Sequence, residues 1–125
     1  MTAVDDGVDL HGQVGAVVAL LGDELVALRR DLHAHPEPSW EEHRTTAALL
    51  ERLELAGLHP EPGPTGTGGV CDIGTGGPVV ALRGDIDALR VTDEKDVPYR
   101  SPVDGVWDAC GHDLHAVAAL GAGLA

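Results

Sequence analysis

The residues best suited to metal binding or catalysis lie between Asp108 and His115, in a segment that reads Asp-Ala-Cys-Gly-His-Asp-Leu-His. These eight residues hold one thiol, two imidazoles and two carboxylates. Cys110 and His112 are two residues apart, so an extended backbone directs both side chains to the same side. A thiolate and an imidazole are ligands for a borderline metal such as Zn²⁺. This segment alone is compatible with a metal site and also with a buried cysteine beside a solvated helix start.

A second pair of candidate ligands follows the apolar run at 79–82. Asp85 and Asp87 alternate with Ile86, so an extended backbone would place both carboxylates on one side. In open α/β sheets, sites form beyond the carboxyl ends of the strands. We therefore expect one carboxylate to bind a metal and the other to orient a ligand. A solvated acidic turn is the alternative that these residues leave open.

A long amphipathic helix is predicted ahead of these segments. From about His11 to His33, apolar residues recur at intervals of three and four, which predicts a helix that packs on a core. Pro36 should end it, because proline cannot continue a helix. Residues 1–10 are acidic and are expected to form a flexible lead-in, so that the domain covers 11–125.

A second helix is predicted to begin at a capping box. Ser39 would be the N-cap and Glu42 the N3 residue, and the helix would run to Ala56 with Gly57 as its C′ residue. Four polar residues surround the joint between the two helices and are expected to form a partly solvated corner, although they could also be ligands: His33, His35, Glu37 and His43.

The rest of the chain predicts a small sheet and a third helix. Residues 70–73 and 79–82 have the composition of a β-hairpin, and the second run is apolar enough for a strand covered on both faces. A long connection at 91–107 leads to a helix that starts near His112 and is apolar on most sides, as in a buried helix. The predicted class is α/β: two helices, a hairpin, a strand, a long loop and a buried helix.

Composition narrows the function classes. The chain has 125 residues, which suffices for one small domain, and 8 Lys and Arg against 21 Asp and Glu, a formal net charge of -13. Nucleic acid and anionic membranes are therefore unfavourable partners. We find no basic signal peptide and no apolar run of about 18 residues, the length of a membrane span. Two cysteines do not make a disulfide framework, so we expect free thiols in the cytoplasm.

Three motifs together resemble the metal-dependent amidohydrolases that include aminoacylases, hippurate hydrolases and auxin-conjugate hydrolases, which are relatives of the di-zinc carboxypeptidases. Residues 30–37 are similar to the family signature LHxHPE, residues 80–89 to its strand end LRADMDALP, and residues 109–115 to its segment HACGHDGHT. The resemblance implies the N-terminal part of a zinc-peptidase-like catalytic domain with an incomplete sheet.

The resemblance also implies a site. Cys110 and His112 match metal ligands of the family, and Asp87 matches a catalytic acidic residue that orients a metal ligand. Asp85 stands where the wider superfamily has a metal-binding histidine, so it is a candidate ligand, and His115 matches a motif residue of unassigned role. The implied cofactor is a pair of divalent ions, with Zn²⁺ preferred and Mn²⁺ or Co²⁺ as alternatives.

The implied reaction is hydrolysis of amide bonds in N-acyl amino acids or similar small molecules. The family's Glu pair, its later histidine ligands and its lid and dimerisation domain have no counterpart in residues 1–125. We therefore expect this chain to be inactive and poorly stable by itself, and we expect homo-oligomers only of a full-length parent. The alternative is a truncated, non-catalytic remnant that acts at most as a metal- or partner-binding module.

Overall fold

The computed structural model describes residues 9–125, so nearly all of the predicted lead-in lies outside the described residues. The elements along the described chain are α1 (Leu10–Ala34), α2 (His43–Leu55), β1 (Glu61–Pro62), β2 (Gly69–Val70) and α3 (His112–Leu124). Buried apolar side chains gather where α1 and α3 pack, among them Leu32, Val117 and Leu120. The three predicted helices are confirmed, although α3 is not buried on most sides as predicted, since Leu114 is 56% exposed. Residues 91–107 form a long connection without helix or strand.

Helix α1 is positioned by signals at both of its ends. The Asp9 side chain accepts a hydrogen bond of 2.9 Å from the Gly12 N–H, which satisfies one of the unpaired donors of the first turn. The helix ends at Ala34, two residues before Pro36, as predicted. Its middle packs closely on α3, because a Cβ placed on Gly121 would lie 3.0 Å from the Leu25 side chain.

By length and composition, α1 is long and apolar enough to cross a membrane. This corrects the expectation that the chain has no apolar segment as long as a membrane span. A core helix of a soluble protein or an N-terminal signal meets the same condition, so the observation is weak evidence. Two ion pairs connect α1 to other helices: Glu24 pairs with Arg52 of α2, and Arg29 pairs with Asp113 of α3. The predicted role as a packing helix is therefore confirmed.

The N-terminus of α2 is capped by Glu37, and the predicted capping box of Ser39 and Glu42 is wrong. The Glu37 carboxylate accepts hydrogen bonds from the backbone N–H groups of Arg44 at 2.9 Å and Thr45 at 2.6 Å. Glu42 is the N-cap residue but makes no capping hydrogen bond through its side chain. Ser39 lies in a turn before the helix starts, and a capping box requires the serine to be the N-cap itself.

Replacing Glu37 with alanine should lower the free energy of unfolding by about 1–2 kcal/mol, because two helix donors would lose their acceptor. Urea denaturation followed by circular dichroism measures the change. The matched control is Glu41→Ala, which removes only an exposed ion pair with Arg90 and should cost about 0–1 kcal/mol. Equal losses in the two variants would contradict the capping role of Glu37.

The C-terminus of α2 is the predicted one. Gly57 has a φ of 81°, a left-handed conformation that favours glycine. Its N–H donates to the Glu54 carbonyl at 2.9 Å, and the Leu58 N–H donates to the Leu53 carbonyl at 3.1 Å. These two bonds are those of a Schellman motif, which satisfies the last carbonyls of the helix.

The predicted hairpin of residues 70–73 with 79–82 is wrong. Strand β2 pairs antiparallel with β1, so that Val70 lies opposite Glu61. Residues 79–82 form no strand, and Val79 and Val80 are 88% and 86% exposed. A strand needs a neighbour for its N–H and C=O groups, and within residues 9–125 no strand pairs with this run.

The segment after this run packs directly on the start of α3. At Gly84, an added Cβ would lie 2.8 Å from the His115 carbonyl oxygen and 2.9 Å from the Ala116 Cα. These are backbone atoms of a helix and cannot move aside, so glycine is required for this close approach. Gly84 therefore places the next residues beside the first turn of α3.

Candidate metal centre

Backbone hydrogen bonds hold the acidic segment 85–87 in place, although it is not the predicted end of a strand. The Ala88 N–H donates to the Glu37 carbonyl at 2.8 Å, which connects the segment to the joint between α1 and α2. Leu89 and Trp107 exchange two hydrogen bonds of 2.9 Å, which connect it to the residues before α3. The segment is thus fixed between two parts of the fold.

One open cleft collects three of the four predicted metal-site residues. Asp85, Asp87 and His112 line it, whereas Cys110 is exposed and does not. The expectation that all four side chains gather in one cleft therefore holds for three of them. Residues from the α1–α2 joint, the β1–β2 loop and the segment before Asp85 complete the lining: Ser39, Trp40, Glu42, Thr67, Gly68, Arg83, Gly84 and Ile86.

His112 is oriented by Asp87. The His112 Nδ1 lies 2.9 Å from both the carbonyl oxygen and the Oδ1 of Asp87. A carbonyl oxygen can only accept a hydrogen bond, so Nδ1 carries the proton and donates it. The Nε2 atom of His112 then has a lone pair and, within residues 9–125, no hydrogen-bond partner. Metal-binding histidines typically show this arrangement, with one nitrogen donating to a carboxylate or carbonyl and the other free for the metal.

The same contacts change the protonation of His112. Burial by itself lowers the pKa of His112, but the hydrogen bonds to Asp87 and the negative charges of Asp87 and Asp108 outweigh burial and raise the pKa above its usual value. A proton on Nε2 would compete with a metal for the same lone pair.

Asp108 caps the helix that carries His112. Its carboxylate accepts hydrogen bonds from the backbone N–H groups of His112 at 2.8 Å and Asp113 at 2.6 Å. Burial and the nearby charge of Asp113 raise the pKa of Asp108, and these two hydrogen bonds offset only part of that rise. Asp108 therefore contributes to the position of the first turn of α3.

The other acidic residues of the cleft, Asp85 and Glu42, are not positioned around a common metal site. Asp85 forms an ion pair of 2.6 Å with the neighbouring Arg83. Glu42 is buried, and its Oε2 has no hydrogen-bond partner in the described part of the chain, which is unusual for a buried carboxylate oxygen. The described residues contain no group of three His, Cys, Asp or Glu side chains gathered as a metal site. The chemistry of residues 9–125 thus fits one metal ligand and its orienting carboxylate, not a complete site.

A second polar cluster is buried between α1 and α3. His33 was expected in a partly solvated corner, but its side chain is 1% exposed. Its Nδ1 lies 2.6 Å from the Asp113 Oδ2, and its Nε2 lies 2.7 Å from the Lys95 Nζ and 3.4 Å from the Asp93 Oδ2. The correction has a physical reason: Asp113 and Lys95 satisfy the two ring nitrogens of His33, which lowers the cost of burying the imidazole.

The other residues of the joint have simpler roles. His35 is exposed and contacts the Asp31 carbonyl at 2.8 Å. His43 is exposed, with its Nδ1 3.4 Å from the Gly66 carbonyl. The ring of His115 lies 6.0 Å from the ring of His112, and His115 is exposed.

Asp93 should make the stability of the fold depend on acid pH. Burial raises the pKa of Asp93, but N–H donors of Lys95 and Ser101 and the nearby positive charge outweigh burial and lower the pKa. A lowered pKa contributes stability above the pKa of the unfolded chain, and this contribution is lost as the pH falls below about 4. In Asp93→Asn we expect a lower urea midpoint at pH 7 and a shallower decline from pH 7 to pH 3.

The control for this prediction is Asp104→Asn, in the same long connection but exposed. It should keep the pH dependence of the unmodified chain. An unchanged decline of the urea midpoint in Asp93→Asn would show that Asp93 does not titrate with folding.

Comparison with known proteins identifies the family. Residues 81–125, which include Asp85, Asp87, Cys110 and His112, match the model of peptidase family M20/M25/M40. These residues belong to the M20 family. The predicted resemblance to metal-dependent amidohydrolases and zinc peptidases is thereby confirmed.

Similar proteins are much longer than this chain. The chain is 50% identical over 100 residues to the Rhodococcus jostii protein named "Putative glutamate--cysteine ligase 2-3", covering 79% of this chain and 13% of that one. It is 42% identical over 107 residues to N-acetyl-L-cysteine deacetylase of Bacillus subtilis, covering 84% and 26%. The first match is to a small part of that protein, so the ligase name says little about the matched region.

A solved structure agrees with the M20 assignment and with the fold. The Bacillus subtilis YXEP protein, described as a dinuclear metal binding peptidase from the M20 family, superimposes with a TM-score of 0.75 at 39% identity. The superposition covers 80% of this chain and 29% of that one. The predicted α/β class, as part of a zinc-peptidase-like domain, is confirmed.

Proposed function

We propose that this chain forms the first part of the catalytic domain of an amidohydrolase that cleaves N-acyl amino acids or similar small amides with the help of divalent metal ions. The observation that carries the proposal is the pair of His112 and Asp87, which leaves one ring nitrogen of His112 free in the cleft wall. The deacetylase relative and the dinuclear metal peptidase of the M20 family support the substrate class and the cofactor.

In this proposal each residue has a defined task. His112 holds a metal through Nε2, and Cys110 is a second ligand that would have to turn from its exposed position. Asp87 is the catalytic residue that fixes the tautomer of His112, and Asp85 is a candidate ligand once it leaves Arg83. When bound, two divalent ions supply Lewis acidity for the scissile carbonyl and make water more acidic.

The remaining proposals follow from the same class of enzyme. The metal is Zn²⁺ in preference to Mn²⁺ or Co²⁺, because a thiolate and an imidazole suit zinc. The partner is a small amide substrate, without nucleic acid or membrane, and the protein works in the cytoplasm. A homo-oligomer is proposed only for a longer protein that contains this chain.

A non-catalytic remnant is the second candidate. It is favoured by the incomplete donor set in the described residues. The chain spans 13–29% of the length of the relatives and the structure compared above. A remnant of this kind would bind at most a metal or a partner and would catalyse no reaction.

Hydrolysis of a panel of N-acetyl amino acids tests the two candidates. The complete natural polypeptide that carries residues 1–125 should release free amino acid, lose activity after chelation, and regain it with Zn²⁺, Mn²⁺ or Co²⁺. The 125-residue chain alone should release none. A complete polypeptide that is inactive with every metal would overturn the enzyme proposal and favour the remnant.

A further inference from the structure

We propose that Asp113 is a positioning residue: its buried carboxylate, held by His33, sets the rotation of the first turn of α3 and thereby directs His112 toward Asp87. The inference rests on the proposed role of His112 as a metal ligand. Asp113 itself lies outside the cleft, so it acts through its helix neighbour and not by touching a substrate.

The contact between Asp113 and α1 is short and almost completely buried. The Asp113 Oδ2 lies 2.6 Å from the His33 Nδ1 and 3.0 Å from the Arg29 Nε. The side chains of His33 and Asp113 are both 1% exposed. A carboxylate at this depth is tolerated only where its partners are in place, because an unpaired buried charge is strongly unfavourable.

The direction of this hydrogen bond is determined by Lys95. The Lys95 Nζ lies 2.7 Å from the His33 Nε2, and an ammonium group can only donate. The Nε2 of His33 therefore accepts, and its Nδ1 carries the proton that is donated to Asp113. The two hydrogen bonds, from Lys95 to His33 and from His33 to Asp113, therefore run in one direction. They hold the Asp113 side chain of α3 against one position on α1.

Geometry then connects Asp113 to the cleft. Successive residues of a helix are about 100° apart around its axis. When Asp113 points to α1, the preceding His112 points to another side of α3, where its Nδ1 meets Asp87 at 2.9 Å. A rotation of the first turn that broke one of these contacts would break the other.

The apolar contacts of α3 cannot set this rotation alone. Its buried apolar side chains, Ala116, Val117 and Leu120, lie beyond the first turn, in which Asp113 is the buried residue. A buried hydrogen-bonded carboxylate has one acceptable position, so it specifies geometry more than it adds stability.

Cobalt binding to the complete natural polypeptide tests the inference. The Co²⁺ dissociation constant and the visible d–d absorption are measured for the unmodified protein and for Asp113→Asn, in samples that circular dichroism shows to be folded. We expect Asp113→Asn to bind Co²⁺ about 10–100-fold more weakly, as for the loss of other residues that orient a metal ligand, and to show a changed d–d spectrum.

Two further variants separate positioning from folding. Ser101→Ala removes a buried hydroxyl that donates to the Val106 carbonyl at 2.7 Å but keeps the backbone N–H that donates to Asp93. It should lower the melting temperature and leave the Co²⁺ affinity and spectrum unchanged. His33→Asn places an amide N–H where Nδ1 was, and should keep Co²⁺ affinity within about 3-fold of the unmodified protein. It also provides the test if Asp113→Asn does not fold.

The outcomes are distinct. Binding that weakens in His112→Ala but not in Asp113→Asn, with an unchanged spectrum, overturns the positioning role alone. A 10–100-fold loss in His33→Asn also overturns it, because the retained donor would then be irrelevant. Binding that does not respond to His112→Ala overturns the proposed metal ligand and the inference with it.

Discussion

Replacing His112 with alanine is expected to weaken Zn²⁺ binding to the complete natural polypeptide by at least about 100-fold and to reduce amide hydrolysis by a similar factor. Residues that merely orient a metal ligand contribute 10–100-fold, so loss of the ligand itself should cost more. Among residues 9–125, the Nε2 of His112 has no hydrogen-bond partner and lies in the cleft wall, and Asp87 fixes the ring orientation through Nδ1. Competition with a chromophoric chelator measures the affinity.

His115→Ala is the matched control for this experiment. It removes a second imidazole from the first turn of the same helix, 6.0 Å from the first ring, but His115 is exposed and does not line the cleft. It should change the Zn²⁺ affinity by less than about 3-fold. Equal losses in His112→Ala and His115→Ala would show that the helix end as a whole matters and that neither ring is a specific ligand.

Local signals in the sequence predicted the helices well. The spacing of apolar residues identified α1, and Pro36 and Gly57 marked where the first two helices end. These signals act within a few residues and do not depend on the rest of the fold. The start of α3 near His112 was predicted for the same reason.

The β structure could not be predicted in this way. Residues 79–82 have the composition of a covered strand, yet no strand pairs with them in the described part of the chain, and Val79 and Val80 are exposed. Composition indicates that a segment suits a sheet, but pairing depends on a distant neighbour. The short pair of β1 and β2 formed instead across a connection of six residues, which the Gly63 N–H closes by donating to the Gly68 carbonyl at 2.9 Å.

The candidate site shows the same division between local and distant information. The two-residue spacings of Asp85 with Asp87 and of Cys110 with His112 predicted which segments matter, and the structure brings three of these residues to one cleft. The capping role of Glu37 was missed because capping rules use spacings of two or three residues. Glu37 lies seven and eight residues before the N–H groups from which it accepts hydrogen bonds.

The buried cluster was missed for a stronger reason. His33 and Asp113 are separated by 80 residues, so no spacing rule connects them. The only local hint is that Arg29 and His33 lie four residues apart on α1, on the face beside Leu32. Polar residues at the edge of an apolar stripe suggest a partner, but the sequence does not show where it is.

Replacing His33 with leucine should destabilise the fold by about 3–5 kcal/mol, the cost of removing the hydrogen-bond partner of a buried charge. The leucine would fill much of the volume but leave the Asp113 carboxylate, 1% exposed, without its closest donor. It would also leave the Lys95 ammonium without the acceptor that lies 2.7 Å away. Domains are typically stable by about 5–15 kcal/mol, and we expect this chain to be less stable, so the variant should be largely unfolded at 37 °C.

His35→Leu is the matched control, because His35 lies two residues further along the chain and its side chain is 48% exposed. It should change the free energy of unfolding by less than about 1 kcal/mol, as for an exposed ion pair. A double variant, His33→Leu with Asp113→Leu, removes both groups of the hydrogen bond and should recover part of the loss, since no buried carboxylate is left without its closest donor. If His33→Leu is no less stable than His35→Leu, the buried hydrogen bond between His33 and Asp113 does not form in solution, and the α1–α3 packing must rest on its apolar residues alone.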